Sequence, residues 1–387
     1  MKVVEIISDQ NIGGAGVLLC TRLKYTDRKE FQTTVILPEG SQLKSRIESL
    51  NYSVREVRGA EDRSWSWVGL WSHMCALKEL NPDLVNCHAS LSGRVAATLC
   101  GVPAVIYTRH CVFPLKPWQR TSLGKMAMRI GQGLFLDQAI AVAHAAKENL
   151  ISLGVSPRRI HVIVNGVEGK RALNEKEKDE IKRSLGYGDE HFVVGICGRL
   201  EACKGHLELL HAAAILIQRN QNFRFLIIGD GSQRAYLENV CKKKGLTPYV
   251  TFTGFAEDVT PYLNVLDLQV NCSRGSETSS LALSEGMSLG LPTVASDFGG
   301  NPYMIRDGEN GYLYPVGNPR ALVQKIWEIY SDPQLRHSMG DRAYRRFLEE
   351  LNARCMTRKT HRLYRSMMRG AYASIFSLNA RMERERS

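Results

Sequence analysis

The sequence predicts an α/β protein built from two Rossmann-like domains that face each other across a cleft. Three observations lead there. The chain has 387 residues, more than one ordinary core organises. Short β-rich runs alternate with longer helical patterns, as in parallel sheets wrapped by helices. The runs also fall into two series, separated by a charged stretch without strand pattern.

The first series is "KVVEIIS", "QTTVILP", "DLVNCH", "AVIYTRH", "QAIAVA" and "IHVIVN". Each run ends on small or polar residues, where open α/β sheets meet their ligands. The separator is "GVEGKRALNEKEKDEIKRSLGYGDEH", with a helix expected over 175–185 and a hinge near 166–172. The second series is "FVVGICG", "RFLIIGD", "VTFTGF", "LQVNCS" and "PTVAS". From about Arg336 the pattern is that of a basic amphipathic helix, expected to pack back onto the first domain. The expected domains are therefore 1–168 and 169–335, with a helical segment 336–387.

Composition narrows the function classes. With 44% hydrophobic and 23% charged residues the chain is globular in type. Its start, "MKVVEIISDQ", carries Glu5 and Asp9 where a signal peptide needs an unbroken apolar run. No stretch is long and apolar enough to span a bilayer. The ten cysteines are scattered, without Cys-x-x-Cys, so reduced thiols in a cytoplasmic protein are expected rather than zinc or disulfides. The net charge of +12 suits nucleic acid, anionic lipid or phosphorylated substrates, and equally a soluble basic surface. No nucleic-acid motif accompanies it, so nucleic acid is not an expected partner.

Four motifs can carry chemistry. "ISDQNIGGAGVLL" reads as strand, Gly-rich turn and helix start, which suits either a tight turn or a phosphate site. In "GICGRLEACKGHLELL", Arg199 and Lys204 occupy a loop between strand and helix. Two such cations suit a diphosphate, although a solvated basic loop also accounts for them. In "FLIIGDGSQRAYLENV", Gly229 permits a tight turn at a strand end, and the next strand is followed by Phe255, an apolar side chain suited to lie against a base.

The fourth is "RGSETSSLALSEGMSLGLPTVASDFGGNPYMI". A single helix through Glu277 and Glu285 would point their carboxylates about 80° apart. A loop to Glu277 and a helix starting near Ser279 or Ser280 is the better reading, since serine suits an N-cap. The Ser280 and Leu281 N–H groups would then favour a phosphate. Glu285 could accept two hydrogen bonds from a ribose diol, and Glu277 would lie where a sugar sits. A surface acid and a helix-start acid would give the same spacing. In the first domain His88 and His110 end two strands, facing the expected cleft as ligand groups or as structural histidines.

Taken in order, these pieces resemble the retaining glycosyltransferases of family 4, which have the GT-B fold. "IGGAG", "YTRH", "DQAIAVAHAAKENLISLGVSPRRIHVIVNGVE", "GRLEACKG", "LIIGDGSQRAYLE" and "SRGSETSSLALSEGMSLGLPTVASDFGGNP" resemble the family's successive motifs, the last its Glu-x7-Glu element. The resemblance covers nearly the whole chain. It implies an acceptor-binding first domain and a donor-binding second domain. Arg199 and Lys204 would neutralise the donor diphosphate, Glu285 would hold the ribose, and Glu277 and His110 would contact the donor sugar as the catalytic pair. Gly14 would approach the phosphates, with Gly229, Phe255, Ser279, Ser280 and Leu281 completing the donor site. His88 and Arg109 would lie on the acceptor side. The chain departs from the family pattern at Thr278, Gly286, Tyr303 and Glu168. Thr278 and Tyr303 bear on the choice of donor.

The expected reaction is sugar transfer from a nucleoside-diphosphate donor with retained configuration. The second domain lacks Asp-x-Asp, so neither metal nor other cofactor is expected. The acceptor is expected to attack on the face the diphosphate leaves, the alternative being double displacement through Glu277. In "LKPWQRTSLGKMAMRIGQGLF", Trp118, Leu123, Met126 and Ile130 are set against Lys116, Arg120, Lys125 and Arg129. A basic amphipathic helix of this kind suits an anionic membrane surface, though a helix packed on its own domain fits as well. A lipid-linked or lipopolysaccharide-type acceptor and a peripheral site on the inner face of the cytoplasmic membrane are expected. The alternatives are a sugar-nucleotide epimerase or phosphorylase on the same fold, and a catalytically silent nucleotide-sugar-binding subunit.

Overall fold

The computed structural model describes residues 1–61, 64–112, 115–275 and 277–386, with side chains to Arg369. The chain divides into two compact units, Met1–Gly166 with Ala353–Ser387, and Val167–Asn352.

The first unit holds seven strands: β1 (Lys2–Ile7), β2 (Gln32–Pro38), β3 (Ser53–Val57), β4 (Leu84–His88), β5 (Ala104–Arg109), β6 (Gln138–Ala141) and β7 (Ile160–Val162). All pair in parallel in the order β3-β2-β1-β4-β5-β6-β7. Five of the six β1 residues are buried, the near-continuous burial of a sheet covered on both faces. Successive side chains alternate between those faces. Val4 and Ile6 pack with Ala76 and Leu77 of the helix Trp67–Leu80. Glu5 points to the opposite face, towards Arg22 of the helix Gly14–Lys24 and Tyr364 of the helix Ala353–Arg386.

The second unit holds β8 (Phe192–Cys197), β9 (Phe223–Ile228), β10 (Val250–Gly254), β11 (Leu268–Asn271), β12 (Thr293–Ser296) and β13 (Gly311–Tyr314). Its parallel order, β10-β9-β8-β11-β12-β13, repeats the doubly wound pattern of the first six strands above. The core joins Val194, Ile196, Leu209, Leu216, Phe223, Phe225 and Ile326. In each unit the order reverses beside the first strand, between β1 and β4 and between β8 and β11. At that switch point the loops part and ligands enter such sheets.

Two strands escaped the sequence reading, and both are edges. β3 has only one fully buried residue among five, and β13 is four residues long and begins on glycine. The segment expected as one unit over 336–387 is divided. The helix Pro333–Arg346 buries Met339 and Ala343 in the second unit. Its Arg346 also donates to the carbonyls of Met304 and Tyr303. The return to the first unit comes at Ala353, and the outward passage falls between Gly166 and Val167 rather than after Glu168.

Candidate active site

In the second unit the site grows from the end of β11. The 3-10 turn Ala202–Lys204 ends on Gly205, whose φ is +71°. A Cβ there would sit 2.0 Å from the Cys272 carbonyl oxygen, so glycine lets this loop lie against the strand end. The approach delivers the Lys204 ammonium to the Glu277 carboxylate at 2.8 Å. Glu277 Oε2 also accepts from Ser273 Oγ at 2.8 Å and Asn271 Nδ2 at 3.2 Å. The Glu277 backbone is fixed too: Gly300 N–H donates to its carbonyl, and a Cβ on Gly299 would lie 2.0 Å from that oxygen. Glu277 is buried.

The helix that follows runs Leu281–Met287 with Ser280 as N-cap. Ser280 Oγ accepts from the Leu283 N–H, as an N-cap serine does, and from Asn271 Nδ2. Asn271 thereby ties the cap to Glu277. Ser279 Oγ is buried without a hydrogen-bond partner among the described residues. Glu285 pairs with Lys170 at 2.9 Å. The Cys197 thiol at the end of β8 is pushed up to about 12, by burial first and then by the nearby Glu285 charge. Glu285 therefore lies beside the switch point between β8 and β11.

Sequence reasoning missed Lys170, placing it in the linker. Its backbone N–H donates to Ser288 Oγ, which anchors the linker beside the Glu285 helix. The only signal was a lysine immediately after the hinge glycine. Arg199 is exposed, one residue past Gly198. Gly229 N–H donates to the Gly254 carbonyl, which sets Phe255, 81% exposed, beside the end of β9. Leu281 is half-buried at the helix start. Tyr303 directs its hydroxyl to Glu350 at 2.6 Å.

The first unit gathers a separate polar cluster at its own switch point. Register places Glu5 opposite Asn86 and Ile7 opposite His88. Glu5 Oε2 accepts from Asn86 Nδ2 at 3.0 Å and lies 2.9 Å from His88 Nε2. Its Oε1 accepts from Tyr364 Oη at 2.9 Å and lies 2.7 Å from the Arg22 guanidinium. Burial alone would raise the Glu5 pKa, but the Arg22 charge and the His88 hydrogen bond prevail and hold it at about 2. His88 Nδ1 lies 2.7 Å from His110 Nε2, the two rings stacked at 5.1 Å. Burial, then the neighbouring His88 and Arg22, keep His110 well below the usual histidine range. His110 Nδ1 is buried with no hydrogen-bond partner among the described residues.

Sequence reasoning found the two histidines but not Glu5, Arg22, Asn86 or Tyr364. Arg109 is committed within its own unit, donating to Tyr107 Oη and Asn149 Oδ1. Gly14 opens its helix, and a Cβ there would meet nothing within 4 Å. Local packing does not require that glycine.

The amphipathic segment is helical over Pro117–Arg120 and Ser122–Leu134. Gly124 is the buried residue of the longer helix, while Trp118, Leu123, Met126, Ile130 and Leu134 are 51–75% exposed. The apolar stripe is therefore not packed on its own unit, and Lys116, Arg120, Lys125 and Arg129 flank it in solvent. Among the described residues, no helix is long and apolar enough to cross a membrane.

The sequence matches the family described as Glycosyl transferases group 1 over residues 177–346, and Glycosyltransferase Family 4 over residues 12–171. It is 30% identical to a 2-deoxystreptamine glucosyltransferase of Streptomyces kanamyceticus, across 70% of this chain and 74% of that one. It is 29% identical to the UDP-Gal:α-D-GlcNAc-diphosphoundecaprenol α-1,3-galactosyltransferase of Escherichia coli, across 67% and 69%. Among solved structures, HepE of Anabaena in complex with UDP is similar at a TM-score of 0.79 and 22% identity, over 95% of this chain and 100% of that one.

Proposed function

The chain belongs to glycosyltransferase family 4, and on that premise we propose a retaining, metal-independent transfer of a sugar from a nucleoside-diphosphate donor to a lipid-linked or lipopolysaccharide-type acceptor. The observation that carries the donor side is the assembly of Lys204, Glu277, the Ser280-capped helix and Glu285 around the β8–β11 switch point.

The chemistry follows from charge. As the anomeric bond breaks, negative charge builds on the leaving diphosphate. Arg199 and Lys204 supply fixed positive charge for it, aided by the amides at the start of the capped helix. Glu285 accepts from the ribose hydroxyls once the nucleotide arrives. Glu277 and His110 contact the sugar. Glu277 Oε2 already carries three donors, which stabilise its negative charge and weaken it as a nucleophile. That favours acceptor attack on the face the diphosphate leaves over a covalent intermediate on Glu277.

The acceptor side rests on the exposed apolar stripe Leu123–Met126–Ile130–Leu134 with its basic flanks, which suits an anionic lipid surface. The helix Trp67–Leu80 adds exposed Trp67, Val68 and Trp71. UDP is the natural first probe, since HepE was solved with it. A thermal-shift screen of nucleoside diphosphates should give one base that raises the melting temperature. No shift with any base would defeat the donor reading. Turnover that disappears with chelator and returns with manganese would defeat metal independence. Flotation with anionic liposomes at low salt tests the surface, and absence of binding would count against it.

A further inference from the structure

We infer that Glu5 and His88 are positioning residues that fix the proton on His110, so that His110 meets its substrate only as a hydrogen-bond acceptor and demands a hydroxyl there. The inference rests on the reading of His110 as the sugar contact and adds which group of the sugar it reads.

Glu5 lies at one end of a row of nitrogens and oxygens: Glu5 Oε2, His88 Nε2, His88 Nδ1, His110 Nε2. A carboxylate only accepts, so His88 must present Nε2–H to it. The single negative charge of Glu5 is already matched by Arg22 at 2.7 Å. A second proton on His88 would bury an uncompensated cation in the same cluster, which is costly. His88 is therefore neutral and bare at Nδ1. Two bare nitrogens cannot share a 2.7 Å contact, so His110 donates from Nε2.

What remains of His110 is Nδ1. Burial first, and then the adjoining Arg22 charge, keep this ring from taking a second proton, leaving Nδ1 a lone pair. It is buried with no partner among the described residues. His110, His88, Asn86 and Thr108 share the wall of a cavity of about 30 Å³, which suffices for one hydroxyl or water. A lone pair in that setting accepts from O–H and repels an ether, carbonyl or phosphate oxygen. The remaining Glu5 donors hold the arrangement in place. Tyr364 and Asn86 both bond Glu5, and Asn86 in turn accepts from Thr108 at 2.8 Å.

The proton positions can be read in the unliganded wild-type chain from the nitrogen resonances of 15N-labelled histidine, with His88→Asn and His110→Asn assigning the signals. Both rings should be neutral and protonated at Nε2 alone. A His110 ring protonated at Nδ1, or either ring carrying two protons, would overturn the inference. The second arm uses donors lacking one sugar hydroxyl at a time. Wild type should discriminate against one of them by about tenfold in kcat/KM, the worth of one buried hydrogen bond. His110→Ala should lose that discrimination. Glu5→Gln, paired with Arg22→Met so that no charge is left buried, frees the row to reverse and should reduce it several-fold. Expected protonation with no discriminated donor would also overturn the hydroxyl assignment. The UDP thermal shift is independent of both arms, so failure of the donor reading is seen separately.

Discussion

Lys170 Nζ and Glu285 Oε1 lie 2.9 Å apart, each side chain about a fifth exposed, so the carboxylate read as the ribose ligand is already engaged by a lysine from the linker. Lys170 holds Glu285 in one orientation, and on the proposed reading a ribose binds beside that pair. Glu285→Ala should weaken UDP binding by roughly 10- to 100-fold by calorimetry, in line with losing hydrogen bonds to a charged group. Lys170→Ala should weaken it less, and the double variant should add little. Fully additive losses would mean that the two act on the nucleotide separately.

Lys204 and Arg199 should part company in stability. Lys204 compensates the buried Glu277, and removing it leaves that carboxylate, among the described residues, with Ser273 and Asn271. Lys204→Met should cost about 1–3 kcal/mol of the second unit's stability and also lower turnover. Arg199 is exposed, so Arg199→Ala should change stability by about 0.5 kcal/mol or less. Its turnover should still fall, on the order of 10²-fold. Denaturant midpoints and kcat measured on the same preparations would separate the two.

Gly14→Ala asks whether that glycine serves folding or ligand approach. No atom lies within 4 Å of the added Cβ, and alanine favours helix over glycine by about 0.5–1 kcal/mol. The variant should melt at the same temperature or higher, with turnover reduced. Unchanged turnover would remove Gly14 from the phosphate contacts.

Acid should loosen the first unit in two stages. Burial, then the charges of Arg22 and Arg365, lower His361 to about 4, and His110 is lowered as well. The unfolded chain takes up these protons near the ordinary value of 6.5, so stability falls as pH drops from 6.5 towards 4. Glu5, held at about 2, adds stability that is complete above 4.5 and lost as pH falls towards 2. The His361 and Glu5 losses are each on the order of 3 kcal/mol when complete. Urea midpoints between pH 7.5 and 4 should decline, and a flat profile would contradict the buried neutral histidines.

The second unit's site was largely legible because its signals are local. Serine caps the helix three residues from the amide it receives, and glycines mark the close approaches around Glu277. The first unit's cluster was not legible. Glu5 stands inside an apolar strand and its partners are Arg22, Asn86 and Tyr364, which no short motif connects. Helical periodicity likewise showed that residues after Arg336 bury a face but not against which unit. It runs on through Pro333–Arg346 and Ala353–Arg386 while the packing partner changes.

One carboxylate near the start of the chain is completed by a tyrosine near its end. During synthesis, strands β1 to β7 leave the ribosome long before Tyr364, His361 and Arg365, which meet Glu5, Thr26 and Glu30. The second unit is contiguous and can close first, although it is made later. The second unit can therefore be completed on the ribosome before the first, which waits for the residues from Ala353 onward.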